Sequence, residues 1–332
     1  MKAQTNESAS SERGETSNPY LAYPGKSRNY DNKPPHQRIQ LSTKRTSDAI
    51  LGNRTGPKLM KGTRSKARNE APSRGKLPVG LYGNYVHYYT SRRMHGEKED
   101  PRMSLMDSSL FTDKRVLDIG CNSGNLTILL ALNHKPTHID GVDIDERLIK
   151  TAVNNLKSTY SLRDPGSDTV DTDIGLTSHY YPQSMTFMFG FLPLMPREKA
   201  PPGFPYNIHF KSEDWLNVET EKQKYDTILA LSISKWIHLH HGDDGIKKFF
   251  HKVYESLNDG GIFVLESQGF ETYARRRKDS EHIKTVYDSI QFMPEQFPAF
   301  LQNDVGFKSY EIAGESENEH KGFERPIYLF KK

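Results

Sequence analysis

Two glycines and two acids stand at a spacing that suits a charged small molecule. The run Val116-Leu117-Asp118-Ile119-Gly120-Cys121-Asn122-Ser123-Gly124-Asn125-Leu126-Thr127 opens on apolar residues, crosses a turn at 120–124 and enters a second apolar stretch at 126–132. Strand, glycine turn, helix is the order in which an α/β unit offers backbone N–H groups to a ligand. Gly120 and Gly124 would let the backbone come close to it. Asp143 lies 23 residues after Gly120, in Ile139-Asp140-Gly141-Val142-Asp143. An acid at the end of the second strand of such a unit takes ribose hydroxyls. The turn is not the dinucleotide pattern, because Asn122 occupies the middle glycine position. Asp118 would bring one anion against another if a pyrophosphate crossed this turn, so the turn suits a ligand with an ammonium group and no phosphate. S-adenosylmethionine (SAM) meets that description, and a plain structural turn is the alternative. The P-loop pattern is absent, which argues against an NTPase.

Further residues could act around that ligand. Glu213-Asp214-Trp215 follows a short apolar run, and an acid beside an aromatic ring there could hold adenine. Lys235, Trp236 and His238 follow the buried-strand pattern Tyr225–Ser232, which places them over the cofactor's reactive end. Arg275, Arg276, Arg277 and Lys278 form a basic run after the next strand, as an active-edge cluster or a solvated face. Lys321 and Arg325 flank a glycine near the end of the chain. Tyr82, Tyr85, Tyr88 and Tyr89 precede Arg92, Arg93, His95 and Arg102. Tyr85, Tyr88 and Tyr89 share a helical face, which suits a core stripe. Tyrosines interleaved with arginines also suit a lid that stacks a base and grips phosphate. Cys121, the only cysteine, excludes an intramolecular disulfide and reads as a small residue that fits the turn.

The elements that must position these residues alternate. Strand 114–119, helix 124–132, strand 138–142 and helix 145–157, capped by Asp145, form a βαβα run. Residues 158–204 hold many prolines and read as an insertion, with an apolar patch from Met185 to Met195 that could pack locally. A short strand at 206–211, the strand 225–232, helix 244–257, a turn at 258–261, strand 262–265, helix 294–302, and strands 305–312 and 326–331 follow. The last two suggest an antiparallel pair at a sheet edge.

The 332 residues carry a net charge of +4, unevenly spread. Residues 1–78 hold 16 Lys/Arg against 6 Asp/Glu, lack Trp and Phe, and are expected to be a disordered basic tail. Residues 79–332 are net acidic and form the expected catalytic domain. The basic peak Lys58–Lys76 suits a nucleic-acid arm, a nuclear import signal or a solvated linker. No run of 18 apolar residues and no signal-peptide pattern occurs, so no membrane partner is expected and the chain reads as cytoplasmic or nuclear. No metal-ligand pattern is present.

The order of parts resembles the seven-stranded, Rossmann-like α/β fold of the class I SAM-dependent methyltransferases. Five segments are more specific: Tyr82-Gly83-Asn84-Tyr85 with Tyr88-Tyr89; Leu117–Asn122; Leu231-Ser232-x-x-Lys235-Trp236-x-His238-Leu239; Gly260-Gly261-Ile262; and Lys321-Gly322-Phe323-x-Arg325-Pro326-x-Tyr328. Together they resemble the bicoid-interacting-protein-3 family. The resemblance covers residues 80–332 outside the insertion. It implies methyl transfer from SAM to the γ-phosphate at the 5′ end of a small non-coding RNA carrying a 5′ triphosphate. It also implies La-related RNA-binding proteins as partners and a nuclear location, with the cytoplasm as a second one. By position it implies SAM contacts at Tyr89, Arg102, Gly120, Cys121, Asn122, Asp143, Asp214, Trp215 and Leu231. The catalytic, phosphate-holding residues it implies are Tyr88, Arg92 and Lys235, with Lys321 and Arg325 beside them; His238, placed after the buried strand, is a further catalytic candidate as a neutral donor. Glu213-Asp214-Trp215 departs from the family's Gly-Asn-Tyr but keeps a hydrogen-bonding group and an aromatic. An RNA-binding scaffold in which catalysis is dispensable is the competing reading.

Overall fold

Val116–Ile119 is a run of inward-facing residues, and a strand buried on both faces needs apolar groups in succession. In the computed structural model, which describes residues 80–85, 88, 100–163, 182–315 and 325–332, this run is an interior strand of a seven-stranded sheet. The strands are β1 (Arg115–Ile119), β2 (His138–Asp143), β3 (Ile208–Ser212), β4 (Tyr225–Leu231), β5 (Leu257–Glu266), β6 (Ser309–Glu315) and β7 (Pro326–Lys331). Their order is β3-β2-β1-β4-β5-β7-β6. The first five pair in parallel, and β7 runs antiparallel between β5 and β6, as expected for the final strand pair. The tail 1–78, Tyr89, Arg92, His95, Lys321 and residues 164–181 of the insertion lie outside the described residues.

Alternating residues of each strand feed two apolar layers. Val116 and Leu229 pack on one face with Leu126, Ile149 and Leu156 from α1 (Asn125–His134) and α2 (Glu146–Leu162). Leu117, Ile228 and Phe263 pack on the other with Phe249, Phe250 and Val253 from α4 (Ser234–Ser256). The carboxylate of Asp145 accepts from Arg147 N and caps α2 as expected, worth about 1 kcal/mol. Among the described residues, no helix is long and apolar enough to cross a membrane.

Four expectations change. α4 begins at Ser234 rather than 244, because Gly242 (φ 66°, ψ −166°) breaks one helical run into two and hides its first part. The turn Asn258–Gly261 lies inside β5 as a bulge, between the pairs Tyr225↔Leu257 and Thr227↔Ile262. A helix absent from the sequence reading, α5 (Glu281–Ser289), is capped by Ser280 Oγ, which accepts from Ile283 N. Ile283 is the only fully buried residue of α5, so its apolar period is too thin to see. The apolar patch of the insertion packs only in part: Met185, Leu192 and Leu194 are half-buried. α3 (Gln183–Phe189) leaves Phe187 83%, Met188 70% and Phe189 68% exposed.

Candidate active site

The strand order reverses between β1 and β4, and an open α/β sheet forms its crevice at the carboxyl ends of the strands on either side of such a point. A cavity of about 730 Å³ opens there. Each parallel strand sends residues into it from its end: Gly120 and Asn122 after β1, Asp143 on β2, Asp214 and Trp215 after β3, Leu231 and Ser232 around the end of β4, and Gln268 after β5.

One end of the cavity is built from carboxylates. Asp143 accepts from Asn122 N at 3.0 Å and Asp145 N at 2.9 Å. Burial outweighs those bonds and pushes its carboxyl up to about 6. Asp118 is pushed up to about 6 by burial, against a 2.6 Å hydrogen bond from the Thr127 hydroxyl. Asp214 accepts from Leu216 N and from the side chain of Asn217. Trp215 backs this end edge-on to Phe249. Its loop is pinned by Lys252, whose ammonium donates to the carbonyls of Trp215 and Val218. A carboxylate oxygen that accepts one backbone N–H keeps a second lone pair for a ligand. Asp143 can so take a ribose diol, Asp214 an adenine amine, and Asp118 favours a cation. This donor set fits SAM.

The other end carries cations and aromatic rings. Lys235, in the first turn of α4, is only 8% exposed. Burial lowers its ammonium pKa to about 8, and Arg325, Arg276 and Arg275 push the same way. All four cations line the cavity. Arg276 lies 5.1 Å from the ring centre of Tyr85 and 5.3 Å from that of Trp236. Arg325 donates to Ser232 Oγ at 2.8 Å. Three guanidinium groups close enough to disfavour the charge on Lys235 suit an anion among them.

The segment Gly80–Tyr85 covers this end and is tied down by its polar atoms. Asn122 Nδ2 donates to Tyr85 O, Asn84 Nδ2 to Asp145 Oδ2 at 2.7 Å, and a ring nitrogen of His240 pairs with Leu81 O. Gly83 (φ 73°) lies flat on Trp236, where a Cβ would stand 2.2 Å from the indole nitrogen.

Several residues act differently from what the sequence suggests. Gly120 makes room for protein as well as ligand: a Cβ there would meet Ile233 at 2.2 Å. The Cys121 side chain is fully buried beside Gly141, and among its atoms the backbone N–H is tied to Val142 O. Arg102 lines the cavity with its guanidinium engaged by Asp100 at 2.6 Å and Glu266 at 3.4 Å. Burial works against its charge, and Asp100 more than offsets it, so its pKa is raised. Tyr88 lines the cavity and packs on the core. His238 does not line the cavity, because its side chain is 0% exposed and sealed beneath α4. It therefore does not touch a phosphate, contrary to expectation. The basic run divides: Arg275 and Arg276 face the cavity, whereas Arg277 and Lys278 do not line it. Glu266 and Gln268 were missed. Glu266 accepts from Ser232 Oγ at 2.5 Å and faces Arg102, and Gln268 donates to Ser232 O at 2.8 Å. Their one signal is that Glu-Ser-Gln follows an apolar strand without turn residues.

A family model described as Bicoid-interacting protein 3 (Bin3) matches residues 225–332. The human 7SK snRNA methylphosphate capping enzyme is 38% identical over 271 residues, covering 76% of this chain and 39% of that protein. The Drosophila melanogaster U6 snRNA methylphosphate capping enzyme Amus is 34% identical over 267 residues, covering 80% of this chain and 79% of that one. The chain belongs to the bicoid-interacting-protein-3 family. A Bos taurus RNA 5′-monophosphate methyltransferase is 24% identical over 301 residues, covering 81% of this chain and 87% of that one. The chain thus spans 39% of the length of the human Bin3 relative. Its seven-stranded sheet, with β7 antiparallel between β5 and β6, has the order expected of the class I methyltransferase fold.

Proposed function

We propose that this Bin3 protein is a SAM-dependent RNA methyltransferase acting on the γ-phosphate of a 5′-triphosphate small non-coding RNA, giving a monomethyl-phosphate cap. The observation that carries the reading is the meeting of Lys235, Arg275, Arg276 and Arg325 in the cavity that also holds Asp118, Asp143 and Asp214. A terminal phosphate oxygen is already anionic at neutral pH, so no strong general base is required. When bound, SAM supplies an electrophilic methyl group on a sulfonium. The chain has to hold one phosphate oxygen in line with that methyl group and neutralise the others. Placement of this kind lowers a barrier by several kcal/mol, and charge-assisted hydrogen bonds from Lys235 and the arginines would supply it. Tyr88, which lines the cavity, would be a further donor, and Arg92 and Tyr89 complete the reading from the sequence alone.

The names of the human and Drosophila relatives support an RNA substrate. The basic segment Lys58–Lys76 supports retention of the RNA body and a nuclear location. La-related proteins are the proposed partners in the same ribonucleoprotein, by family resemblance.

The test is methyl transfer from labelled SAM to one short RNA hairpin bearing a 5′ triphosphate, a 5′ monophosphate or a 5′ hydroxyl. Label on the triphosphate RNA alone is expected. Label on the monophosphate RNA alone would move the substrate to the shorter phosphate, and label on all three would place the methyl on a base or ribose. No label, with SAM and RNA both bound, would make the chain an RNA-holding scaffold.

A further inference from the structure

His238 is too deeply enclosed to meet a ligand, yet each of its ring nitrogens faces a polar partner. Nε2 is 2.8 Å from Asp243 Oδ1, across the break at Gly242. Asp243 Oδ2 in turn accepts from Gln291 N and Phe292 N, both at 3.0 Å. Nδ1 faces the Tyr273 hydroxyl at 3.5 Å, with the two rings edge-on at 5.7 Å and 88°. An imidazole beside a carboxylate carries its proton on the nitrogen nearest it, which leaves Nδ1 to accept from Tyr273.

These partners lead to the cations. Lys235 stands three residues before His238, one turn along the same face of α4. The N–H of Arg276 donates to the carbonyl of Tyr273 at 2.8 Å. Lys235 and Arg276 come from segments about 40 residues apart in sequence, and both meet at Trp236, with Lys235 Nζ 5.2 Å and the Arg276 guanidinium 5.3 Å from its ring centre. The imidazole packs between the segments that bear them. An apolar side chain could fill this space without the desolvation cost of a buried imidazole and carboxylate. What the polar pair adds is direction: two hydrogen bonds fix the angle of a ring that a leucine would leave free.

We propose that His238 and Asp243 form a clasp that fixes the Lys235-bearing turn against the Arg276-bearing turn, making both positioning residues for the 5′ phosphate. This rests on the phosphate reading above. The clasp acts through Arg276 and Lys235, so its loss should weaken recognition of the phosphate and leave the cofactor end intact.

The experiment measures the affinity of the full chain for a 5′-triphosphate RNA hairpin and for the same hairpin with a 5′ hydroxyl, by fluorescence anisotropy, with SAM affinity by calorimetry. The variants are His238→Leu, His238→Gln, Arg276→Ala and the His238→Leu/Arg276→Ala double variant. His238→Leu is expected to weaken triphosphate RNA about tenfold, since small misplacements of binding groups have large effects. Hydroxyl RNA and SAM should stay within about twofold. His238→Gln keeps an N–H for Asp243 and should recover most of the loss. In the Arg276→Ala background, His238→Leu should weaken binding clearly less than in the wild type, leaving only the part that acts through Lys235. Equal weakening of both RNAs, loss of SAM affinity, or full additivity with Arg276→Ala would overturn the clasp. If His238→Leu does not fold, Tyr273→Phe removes only the hydroxyl, and it must still weaken triphosphate RNA selectively or the clasp is wrong. Wild-type protein that binds the two RNAs equally would contradict the phosphate reading itself, before any variant is compared.

Discussion

The two ends of the cavity are built from opposite charges and by opposite means. At the cofactor end, Asp118 and Asp143 lie within strands, and Asp214 lies two residues beyond one, each held by backbone or side-chain donors two to nine residues along the chain or from the neighbouring turn. At the substrate end, Tyr85, Lys235, Arg276 and Arg325 come from four distant segments and are oriented by ring faces and a buried imidazole. Burial raises the carboxyls at one end to about 6 and lowers the Lys235 ammonium to about 8 at the other. The two ends thus concentrate charge of opposite sign. A ligand cationic at one point and a ligand anionic at another would satisfy both.

Arg102 links the two ends, through Asp100 on one side and the Glu266–Ser232–Arg325 chain on the other. Removing it would break the comparison most severely. Arg102→Met takes away the cation facing two buried carboxylates, and losing one partner of a buried pair costs about 3–5 kcal/mol. Denaturant unfolding should show a loss of that size, and a loss below about 1 kcal/mol would mean that the linkage is not structural. Lys235→Ala should sharpen the contrast instead. Turnover on triphosphate RNA is expected to fall about a hundredfold, the scale of one lost donor to a developing or fixed charge. SAM affinity by calorimetry should stay unchanged, and near-normal turnover would remove Lys235 from the site.

The smallest effect is in the pH profile, where the ends should titrate in opposite directions. For Asp118 and Asp143, whose folded pKa is raised, the contribution to free-protein stability is present below about pH 4 and is lost as pH rises through about 6. A cationic ligand favours their charged form. SAM affinity should therefore rise with pH through about 6, by up to about tenfold per unit. Lys235 is lowered, so kcat/KM for RNA should fall as pH rises through about 8. Profiles of the two quantities with the same limbs would mean that the ends do not titrate separately.

The cofactor end was largely legible in the sequence because its parts are local. Asp118, Gly120 and Asn122 lie in one strand–turn, and Asp143 and Asp214 end or follow apolar runs. The alternation of strands and helices and the final antiparallel pair were legible in the same way, whereas the order of the strands in the sheet was not. The substrate end was legible only residue by residue. Nothing local says that Arg276 meets Tyr85, or that the Arg275–Lys278 run splits between cavity and solvent, because that depends on α5, whose apolar period is a single buried isoleucine. His238 was assigned to the phosphate from its place after the strand Tyr225–Ser232. One turn further along α4 than Lys235, it lies past the cavity and is enclosed in the packing.

The measurement that bears most directly on a cavity with a SAM end and a phosphate end is the position of the transferred methyl. Triphosphate RNA labelled by the protein from methyl-labelled SAM would be cleaved with a pyrophosphohydrolase that releases the terminal phosphates. Label released with the phosphates and absent from the RNA body is the expected result. Label that stays with the nucleosides would contradict it, and would leave the four cations as a grip on the RNA rather than on the methyl acceptor.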